Sequence, residues 1–430
     1  MPVADGRRWW RCALDAQGLA WSAVDEAVKA VARLGAARGR QLVADTTPEL
    51  VAASFAAMEH LQIDGRGTRG WAPLSGFVAA RDGWVRLHAN YPHHAAALTA
   101  ALGLPTASGE ADRAALEEVI GRLAAADVET RVRAAGGIAV AVRTRAEWAE
   151  QAHGAASAGD PWVRVDLGAP RPALAPAPAG DLPLAGVRVL DLTRVIAGPT
   201  CSQLLACLGA DVLRIDSPHR PELLDQYLSN GMGKRSTVLD LQSSGAVPSE
   251  RLLHEGLLPA ADVVLLGYRP GSLDRFGLDP EELRRRYPRL VVASLSAWGE
   301  SGPWARRPGF DSIVQAASGI ATSCGDGDEP GALPVQALDH ASGYVLAARV
   351  LDLLAQARAG LVRISLLGAA RTLLAMPPPP PAAPVPMTVP QVALSSPHGS
   401  LVAVPPPIRV DATTIERPIS GYGAAEPTWL

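Results

Sequence analysis

The stretch that decides the fold is Val187-Arg-Val-Leu-Asp-Leu192, followed by the turn Thr193-Arg-Val-Ile-Ala-Gly-Pro199 and a helical segment that ends near Gly209. The first six residues have the apolar character of a buried strand, and Pro199 suits the N1 position of a helix. Asp211-Val-Leu-Arg-Ile-Asp216 has the pattern of a second strand. A strand, a helix and a second strand in this order predict a βαβ unit, and such units build parallel sheets.

The same alternation continues along the chain. Further strands are predicted at Val263-Val-Leu-Leu266, Leu290-Val-Val-Ala-Ser-Leu295 and Leu361-Val-Arg-Ile-Ser-Leu366, with helices near 249–257, 280–286, 313–317 and 344–357. The predicted fold class is therefore α/β, with a doubly wound, Rossmann-like parallel-sheet core. The turn at 193–199 has one glycine where the dinucleotide motif G-x-G-x-x-G has three, so the sequence argues against a nicotinamide cofactor.

Composition and charge exclude several classes of function. The 430 residues are 48% hydrophobic and 19% charged, and 40 basic against 43 acidic side chains give a net charge of −3. Because no stripe of Lys and Arg is present, we expect no nucleic-acid partner. No apolar run reaches the roughly 18–20 residues that cross a bilayer, and the N-terminus lacks the apolar region of a signal peptide. The sequence therefore predicts a cytoplasmic protein without a membrane partner.

Neither the cysteines nor the histidines predict a metal site. Cys12, Cys201, Cys207 and Cys324 form no C-x-x-C pair, and no histidine cluster lies near them at ligand spacing. A structural zinc site and a disulfide framework are both disfavoured. The pair His93-His94 is predicted to lie at a helix start, where adjacent side chains point to different sides, so a structural role is favoured over joint ligation of one metal.

Two proline-rich stretches suggest how the chain is divided. They are predicted linkers at 170–183 and 376–390, where prolines favour extended, semi-rigid backbone. The predicted domains are an N-terminal α+β region at 1–169, an α/β core at 184–375 and a tail at 391–430. The tail is short of helical periodicity, so we expect it to lie on another domain.

The segment Leu333-Pro-Val-Gln-Ala-Leu-Asp-His-Ala-Ser-Gly-Tyr344 holds an acidic residue, Asp339, at or just before a predicted helix start. One interpretation is that Asp339 is an N-cap and nothing more, since Asp is common there. The other is a carboxylate nucleophile, which the helix end would keep ionised at neutral pH. The motif alone leaves both open.

Several blocks of the sequence, in the right order, resemble the class III CoA-transferases, also called the CaiB/BaiF family. The blocks are Leu184–Pro199 with Leu208–Asp216, Gly233–Leu241, Gly267–Gly277, Ser296–Pro303 and Arg307–Gly319, and Asp339 follows them. In that family the aspartate at the position of Asp339 is the nucleophile. The resemblance thus implies transfer of CoA from an acyl-CoA to a carboxylic acid, through an aspartyl mixed anhydride and an aspartyl-CoA thioester.

The resemblance also implies which residues contact coenzyme A. They are Val195, Leu239, Gly267, Tyr268 and Arg275. Arg275 is favoured for a phosphate contact because a guanidinium group suits bidentate phosphate binding; its alternative role is a surface charge after a turn. Lys234 and Arg235 either face solvent or approach the nucleotide, and the sequence favours neither role. Known members form interlocked dimers, so a homodimer is expected, with acyl-CoA as substrate and no metal.

Two alternatives to transfer stay open. Related racemases and isomerases pair the Asp with a His that would fall at Phe310, and phenylalanine cannot carry a proton. His340 is a substitute, but it adjoins Asp339 and is expected to face elsewhere. The second alternative is a CoA-binding subunit without activity, suggested by the domain order. Sequence similar to the family's small domain, around 82–88 and 136–142, precedes the core here instead of following it.

We therefore interpret the chain as a rearranged member in which the small-domain-like part lies N-terminal to the core. Residues 1–70 match nothing in the family. The acyl donor and the acceptor acid are not predicted.

Overall fold

The structure, a computed structural model, describes residues 8–105, 113–178, 180–243 and 249–430. Its helices are α1 (Ala16–Ala37), α2 (Pro48–Phe55), α3 (Ala57–His60), α4 (Pro92–Ala101), α5 (Arg113–Gly121), α6 (Ala125–Ala134), α7 (Arg145–Glu150), α8 (Ala152–Ser157), α9 (Ala197–Cys207), α10 (Leu224–Ser229), α11 (Ser249–Arg251), α12 (Pro280–Arg286), α13 (Asp311–Ser318), α14 (Ile320–Ser323), α15 (Ala337–Ala355) and α16 (Leu366–Ala375). Ala179 of the predicted first linker lies outside the described residues. Among those that are described, no helix combines the length and the hydropathy needed to cross a membrane.

The strands form four sheets. They are β1 (Ala44–Asp45), β2 (Gln62–Ile63), β3 (Arg66–Gly67), β4 (Gly76–Ala80), β5 (Gly83–Leu87), β6 (Ala139–Ala141), β7 (Val163–Pro170), β8 (Arg188–Leu192), β9 (Asp211–Asp216), β10 (Lys234–Val238), β11 (Val263–Leu266), β12 (Val291–Ser296), β13 (Arg358–Ser365), β14 (Val392–Ser396), β15 (Gly399–Ala403), β16 (Arg409–Val410) and β17 (Thr413–Thr414). The largest sheet has seven strands in the order β10-β9-β8-β11-β12-β13-β7.

The large sheet confirms the predicted α/β class with a parallel-sheet core. Every neighbouring pair from β10 to β13 is parallel, and only β7, at the edge, pairs antiparallel with β13. The unit β8-α9-β9 forms as predicted, but α9 begins at Ala197, so the prediction of Pro199 at N1 is wrong. Pro199 is the third helical residue, where a missing N–H is still tolerated because the first turn has no intrahelical acceptors.

Both faces of the large sheet are buried, as expected for parallel strands covered by helices. In β11, Val263 and Leu265 pack into one hydrophobic cluster, and Val264 and Leu266 pack into the other. The first cluster includes α9 and α15, and α1 of the N-terminal region packs along α15. The carboxyl ends of β8, β11 and β12 therefore lie at one edge of a fully covered sheet, where α/β proteins place ligands.

The N-terminal region also has a hydrophobic cluster of its own. The sheet β4-β5-β6 begins with a hairpin, in which Ala80 of β4 pairs with Gly83 of β5 across the turn. Buried side chains of this sheet, such as Val78 and Val85, pack against Leu116 of α5 and Val128 of α6.

The C-terminal tail forms strands with the N-terminal region. The sheet β14-β15-β2-β3 joins residues 392–403 to residues 62–67, and β16 pairs with β1. Farther along, the indole N–H of Trp429 donates to the backbone oxygen of Leu257 at 3.1 Å. The tail therefore contacts both the N-terminal region and the core.

Candidate active site

Asp339 is the third residue of α15, and the N-cap of that helix is Gln336. The interpretation of Asp339 as an N-cap is therefore wrong, because the helix begins two residues before it. Asp339 lies in the wall of a cavity with only 6% of its surface exposed. The start of the helix nevertheless places its carboxyl group near the positive end of the helix dipole.

A second aspartate, Asp311, holds the turn that carries Asp339. Its Oδ2 accepts the backbone N–H groups of Leu338 at 2.9 Å and of Asp339 at 3.0 Å. Its Oδ1 accepts a hydrogen bond from Gln315, whose side-chain oxygen in turn accepts the N–H of Leu333 at 2.9 Å. Asp311 thus satisfies the free N–H groups at the start of α15, as a capping side chain does. It belongs to a different helix, so no local pattern predicts it.

The two carboxyl groups are protonated more readily than usual. Burial raises the pKa of Asp339 well above its ordinary value, and the nearby negative charge of Asp311 raises it further. Burial also raises the pKa of Asp311 to about 6, although the N–H groups that it accepts favour its charged form. The helix end alone would lower the pKa of Asp339, whereas burial and the like charge raise it. Desolvation and a like charge outweigh the dipole because both carboxyl groups lie away from water.

Three of the predicted CoA contacts lie together with Asp339. Val195, Gly267 and Tyr268 line the same cavity, which has a volume of about 220 Å³. Gly267 follows β11, and a Cβ built there would lie 3.0 Å from the Cβ of Thr193, so a larger residue would push the two turns slightly apart. The turns after β8 and β11 thus meet in front of Asp339.

The other two predicted contacts, Leu239 and Arg275, line a neighbouring cavity of about 450 Å³. Tyr268 lines both cavities, and so do two arginines that the sequence analysis missed, Arg220 and Arg269. The five residues predicted to contact CoA therefore line two adjoining cavities, with Asp339 in the wall of the smaller one. Arg269 lies inside a matched block next to Tyr268, which is the signal that would have found it.

Val195 adopts a left-handed backbone conformation, with φ of 68°, that is unusual for a β-branched residue. Its N–H donates to Glu222 at 2.9 Å, and Glu222 also accepts the hydroxyl of Tyr91 at 2.5 Å. Arg214 and Arg194 lie 3.2 Å and 3.4 Å from the same carboxylate. Burial alone raises the pKa of Glu222, but the two arginines outweigh it and lower the pKa to about 2. A buried, charged Glu222 thus connects the Val195 turn to Tyr91 of the N-terminal region.

Aromatic rings from the N-terminal region lie along the other side of the site. His88 stacks on Phe310 with ring centres 3.7 Å apart and planes within 3°. His94 lines the cavity of Asp339, and His88 lines a small space of about 50 Å³ beside both Asp339 and Asp311. Burial lowers the pKa of both histidines to about 3, so both imidazoles are neutral at pH 7. His93 lines the cavity as well, and among the described residues no group of His, Cys, Asp and Glu is arranged to hold a metal.

Comparison with known proteins decides the family. The family model described as CoA-transferase family III matches residues 39–173 and 184–386, which together make up more than half of the chain. The chain belongs to CoA-transferase family III. The resemblance seen in the sequence is thereby confirmed. The match also covers residues 39–70, so the prediction that residues 1–70 have no counterpart in the family is wrong from residue 39 onward.

Similar family III proteins include transferases and a racemase. The chain is 40% identical to a probable fatty acyl-CoA transferase of Mycobacterium tuberculosis over 39% of its own length and 45% of that protein's. It is 35% identical to the succinate–glutarate CoA-transferase of Agrobacterium fabrum (34% of this chain, 40% of that one), and 37% identical to the human alpha-methylacyl-CoA racemase (38% and 42%). A crystal structure of the M. tuberculosis protein matches with a TM-score of 0.41 and 38% identity, over 45% of this chain and 56% of that one. The chain spans less than half the length of these curated relatives.

Three remaining residues of this family III chain lie away from the cavities. Lys234 is buried, 2.9 Å from the hydroxyl of Ser202 and 3.7 Å from the carboxylate of Asp191. Arg235 pairs with Asp211 at 2.8 Å and keeps 19% of its side chain exposed. Neither basic residue lines the cavities of the predicted CoA contacts. The ring nitrogen of His340 lies 3.3 Å from the hydroxyl of Thr200, and its ring centre lies 5.2 Å from that of Phe55.

Proposed function

We propose that this protein is a CoA-transferase that uses Asp339 as its nucleophile. The Asp339 carboxylate attacks the acyl-CoA carbonyl carbon, the C–S bond breaks, and CoA leaves as a thiolate. The thiolate then attacks the aspartyl carbonyl of the mixed anhydride, which releases the donor acid and leaves an aspartyl-CoA thioester. An acceptor carboxylate then attacks this thioester, which releases the CoA thiolate and forms a second mixed anhydride. The thiolate attacks the acceptor's carbonyl carbon in that anhydride, which gives the new acyl-CoA and frees the Asp339 carboxylate. Covalent catalysis divides one difficult exchange into easier steps.

The observation that carries this proposal is the position of Asp339 in the wall of the smaller of two adjoining cavities. Leu239 and Arg275 line the outer cavity, and Tyr268 lines both. A thioester at Asp339 and a nucleotide near Arg275 would then belong to one extended ligand. Arg220 and Arg269 add positive charge along the same path, which suits the phosphates of CoA.

The test is to trap the covalent intermediate. Incubation with a panel of acyl-CoAs, followed by borohydride, is expected to reduce the aspartyl thioester to the alcohol, so that residue 339 is found as homoserine by peptide mass spectrometry. Asp339→Asn removes the carboxylate at nearly constant shape and must abolish the adduct. Asp352→Asn, at the other end of α15, is the matched control and must keep it.

The outcomes separate the proposals. A homoserine at position 339 with any donor supports transfer and identifies that donor. CoA binding without an adduct from any donor tried contradicts transfer, and it favours the CoA-binding subunit if no turnover of any kind is found.

An acyl-CoA racemase is the second candidate, and one observation favours it. Phe310 occupies the position where racemases carry a histidine, yet two neutral imidazoles, His88 and His94, line spaces that Asp339 also lines. A neutral imidazole accepts a proton, as removal of the proton alpha to a thioester requires. This function predicts uptake of deuterium from heavy water by a 2-methylacyl-CoA without any acceptor acid. Transfer does not.

We also propose that the N-terminal region, residues 1–169, stands in for the family's small domain, joined by the 170–183 linker to the 184–375 core. This order is supported by Tyr91 and His94, which line the cavity of Asp339, and by His88, which lines the small space beside it. We propose that the tail, residues 391–430 after the linker at 376–390, packs against both the N-terminal region and the core. A homodimer and a cytoplasmic location complete the proposal, and sedimentation of the purified chain with and without CoA tests the first of these.

A further inference from the structure

Two of the four cysteines lie in contact although they are far apart in sequence. The Sγ atoms of Cys12 and Cys324 are 3.7 Å apart, and 312 positions separate the two residues. Both are partly buried, whereas Cys201 and Cys207 of α9 are fully buried, and all four thiols are free. A disulfide needs a sulfur–sulfur distance of about 2.05 Å, so small side-chain movements join this pair.

The two thiols of this pair differ in acidity. The hydrogen bond with Cys324 lowers the pKa of Cys12 to about 7, with further help from the Leu14 N–H and the positive charge of Arg8. The same hydrogen bond and burial raise the pKa of Cys324, which stays protonated. Cys12 is therefore the better nucleophile, since the thiolate is the reactive form.

The surroundings of Cys12 give it access to small molecules. Cys12 lines an open cleft of about 520 Å³ between residues 8–13 and the proline-rich segment 379–383. Arg8 and Arg11 line the same cleft, and positive charge favours a thiolate. By contrast, burial raises the pKa of Cys207 to about 12 and also raises that of Cys201, so these two thiols stay inert.

We propose that Cys12 and Cys324 are a reversible oxidation site that takes a hydroperoxide as its reactant and forms an intramolecular disulfide. The Cys12 thiolate attacks one peroxide oxygen, the O–O bond breaks, and the leaving oxygen takes a proton to give water or an alcohol. The thiol of Cys324 then attacks the Cys12 sulfenic acid, the S–O bond breaks, and a second water leaves with the thiol proton. One peroxide is reduced by two electrons, and a dithiol restores both cysteines.

The disulfide would join the segment before α1 to the residue that ends α14. The bond would therefore add a covalent link between the N-terminal region, whose helix α1 packs along α15, and the core. Closing so long a loop restricts the unfolded chain, so the oxidised protein is expected to have the higher melting temperature.

The test is peroxide treatment of the full chain, followed by alkylation of the remaining thiols and peptide mass spectrometry without reduction. The expected product is a single cross-linked peptide pair joining residues 12 and 324, with Cys201 and Cys207 still alkylated after unfolding. Oxidation of Cys12 is expected to be about tenfold or more faster than that of either α9 cysteine. Dithiothreitol must reverse the bond and the rise in melting temperature.

Variants keep the result interpretable. Cys324→Ser must stop the cross-link and leave Cys12 as a sulfenic acid that dimedone captures, while Cys201→Ser must still form it. Asp339→Asn must oxidise like the parent, because the pair does not depend on acyl transfer. Oxidation of Cys12 to the sulfinic acid without a cross-link in the parent, or cross-links only between two chains, overturns the proposal.

Discussion

The two sides of the Asp339 cavity are built in different ways. On the core side, Asp339 lies in the first turn of α15, which Asp311 holds, and Gly267 directly follows strand β11 of the parallel sheet. On the N-terminal side, His88 and His94 contribute rings, and a buried charge contact between Tyr91 and Glu222 connects that side to the core. The comparison teaches that the position of the proposed nucleophile depends on the core, whereas the opposite wall of the cavity depends on a separate part of the chain.

Removing the nucleophile is expected to have the largest effect on activity. Asp339→Asn should lower the rate of transfer on the order of 10⁴-fold or more, as loss of a covalent nucleophile does. Because the wild-type carboxyl is buried and its pKa is raised, the variant should melt at the same or a higher temperature. Steady-state kinetics and thermal unfolding measure both. Transfer within tenfold of the parent would show that the core side does not supply the nucleophile.

Glu222→Gln tests the connection between the two sides. The change leaves Arg214, which is 1% exposed, without one of its carboxylates, so we expect a loss of about 3–5 kcal/mol in the free energy of unfolding. The folded-state pKa of Glu222 is lowered from 4.5 to about 2, so its stabilisation is fully present above pH 4.5 and is lost as the pH falls toward 2. Urea unfolding at pH 7 and at pH 3 should show a smaller difference between variant and parent at pH 3. An equal difference at both pH values contradicts this role.

Asp311→Asn separates the effect of the Asp311 charge on Asp339 from the role of Asp311 in holding the first turn of α15. It removes the like charge that raises the pKa of Asp339, so the ascending limb of the pH–rate profile should move to lower pH. Asparagine keeps one acceptor oxygen for the two N–H groups, but its amide NH2 then faces the Gln315 amide that donates to Asp311. We therefore also expect a fall of roughly tenfold in kcat from a less well held turn. A profile that stays in place while kcat falls would show that Asp311 acts by position alone.

Arg275→Gln tests the outer cavity. A charge-assisted phosphate contact is worth about 1.5 kcal/mol, so the dissociation constant for CoA should rise roughly tenfold. The matched control is Arg285→Gln, which changes a side chain that is 79% exposed on α12. Calorimetric titration with CoA measures both variants. Equal binding by both would assign Arg275 to the surface.

His88→Asn is expected to have the smallest effect on the rate of transfer. It tests whether the N-terminal side of the cavity only surrounds the substrate or also moves a proton. If the N-terminal side only surrounds the substrate, transfer should change by less than about threefold. General acid–base catalysis contributes about 10² or more, so a loss of that size in deuterium exchange would instead support the racemase. His94→Asn, measured in the same assay, shows which imidazole acts.

Local patterns predicted the core well. The apolar runs at 263–266 and 290–295 gave strands β11 and β12 because the hydrophobic period of a strand is a property of neighbouring residues. The structure likewise brings Val195, Gly267 and Tyr268 to one cavity, since each follows a parallel strand and those strands end at a common edge. Their roles in binding stay predictions.

What the sequence by itself determined is the family, the parallel sheet and the set of turns that meet at its edge. Only the tertiary structure decided that Asp311 caps the turn of Asp339, that Glu222 receives Tyr91, and that Cys12 meets Cys324. It also decided the sign of the pKa shift at Asp339, which the helix end alone predicts wrongly. The physical reason is that strand and helix patterns arise from adjacent residues, whereas burial and charge add up over groups that only folding brings together.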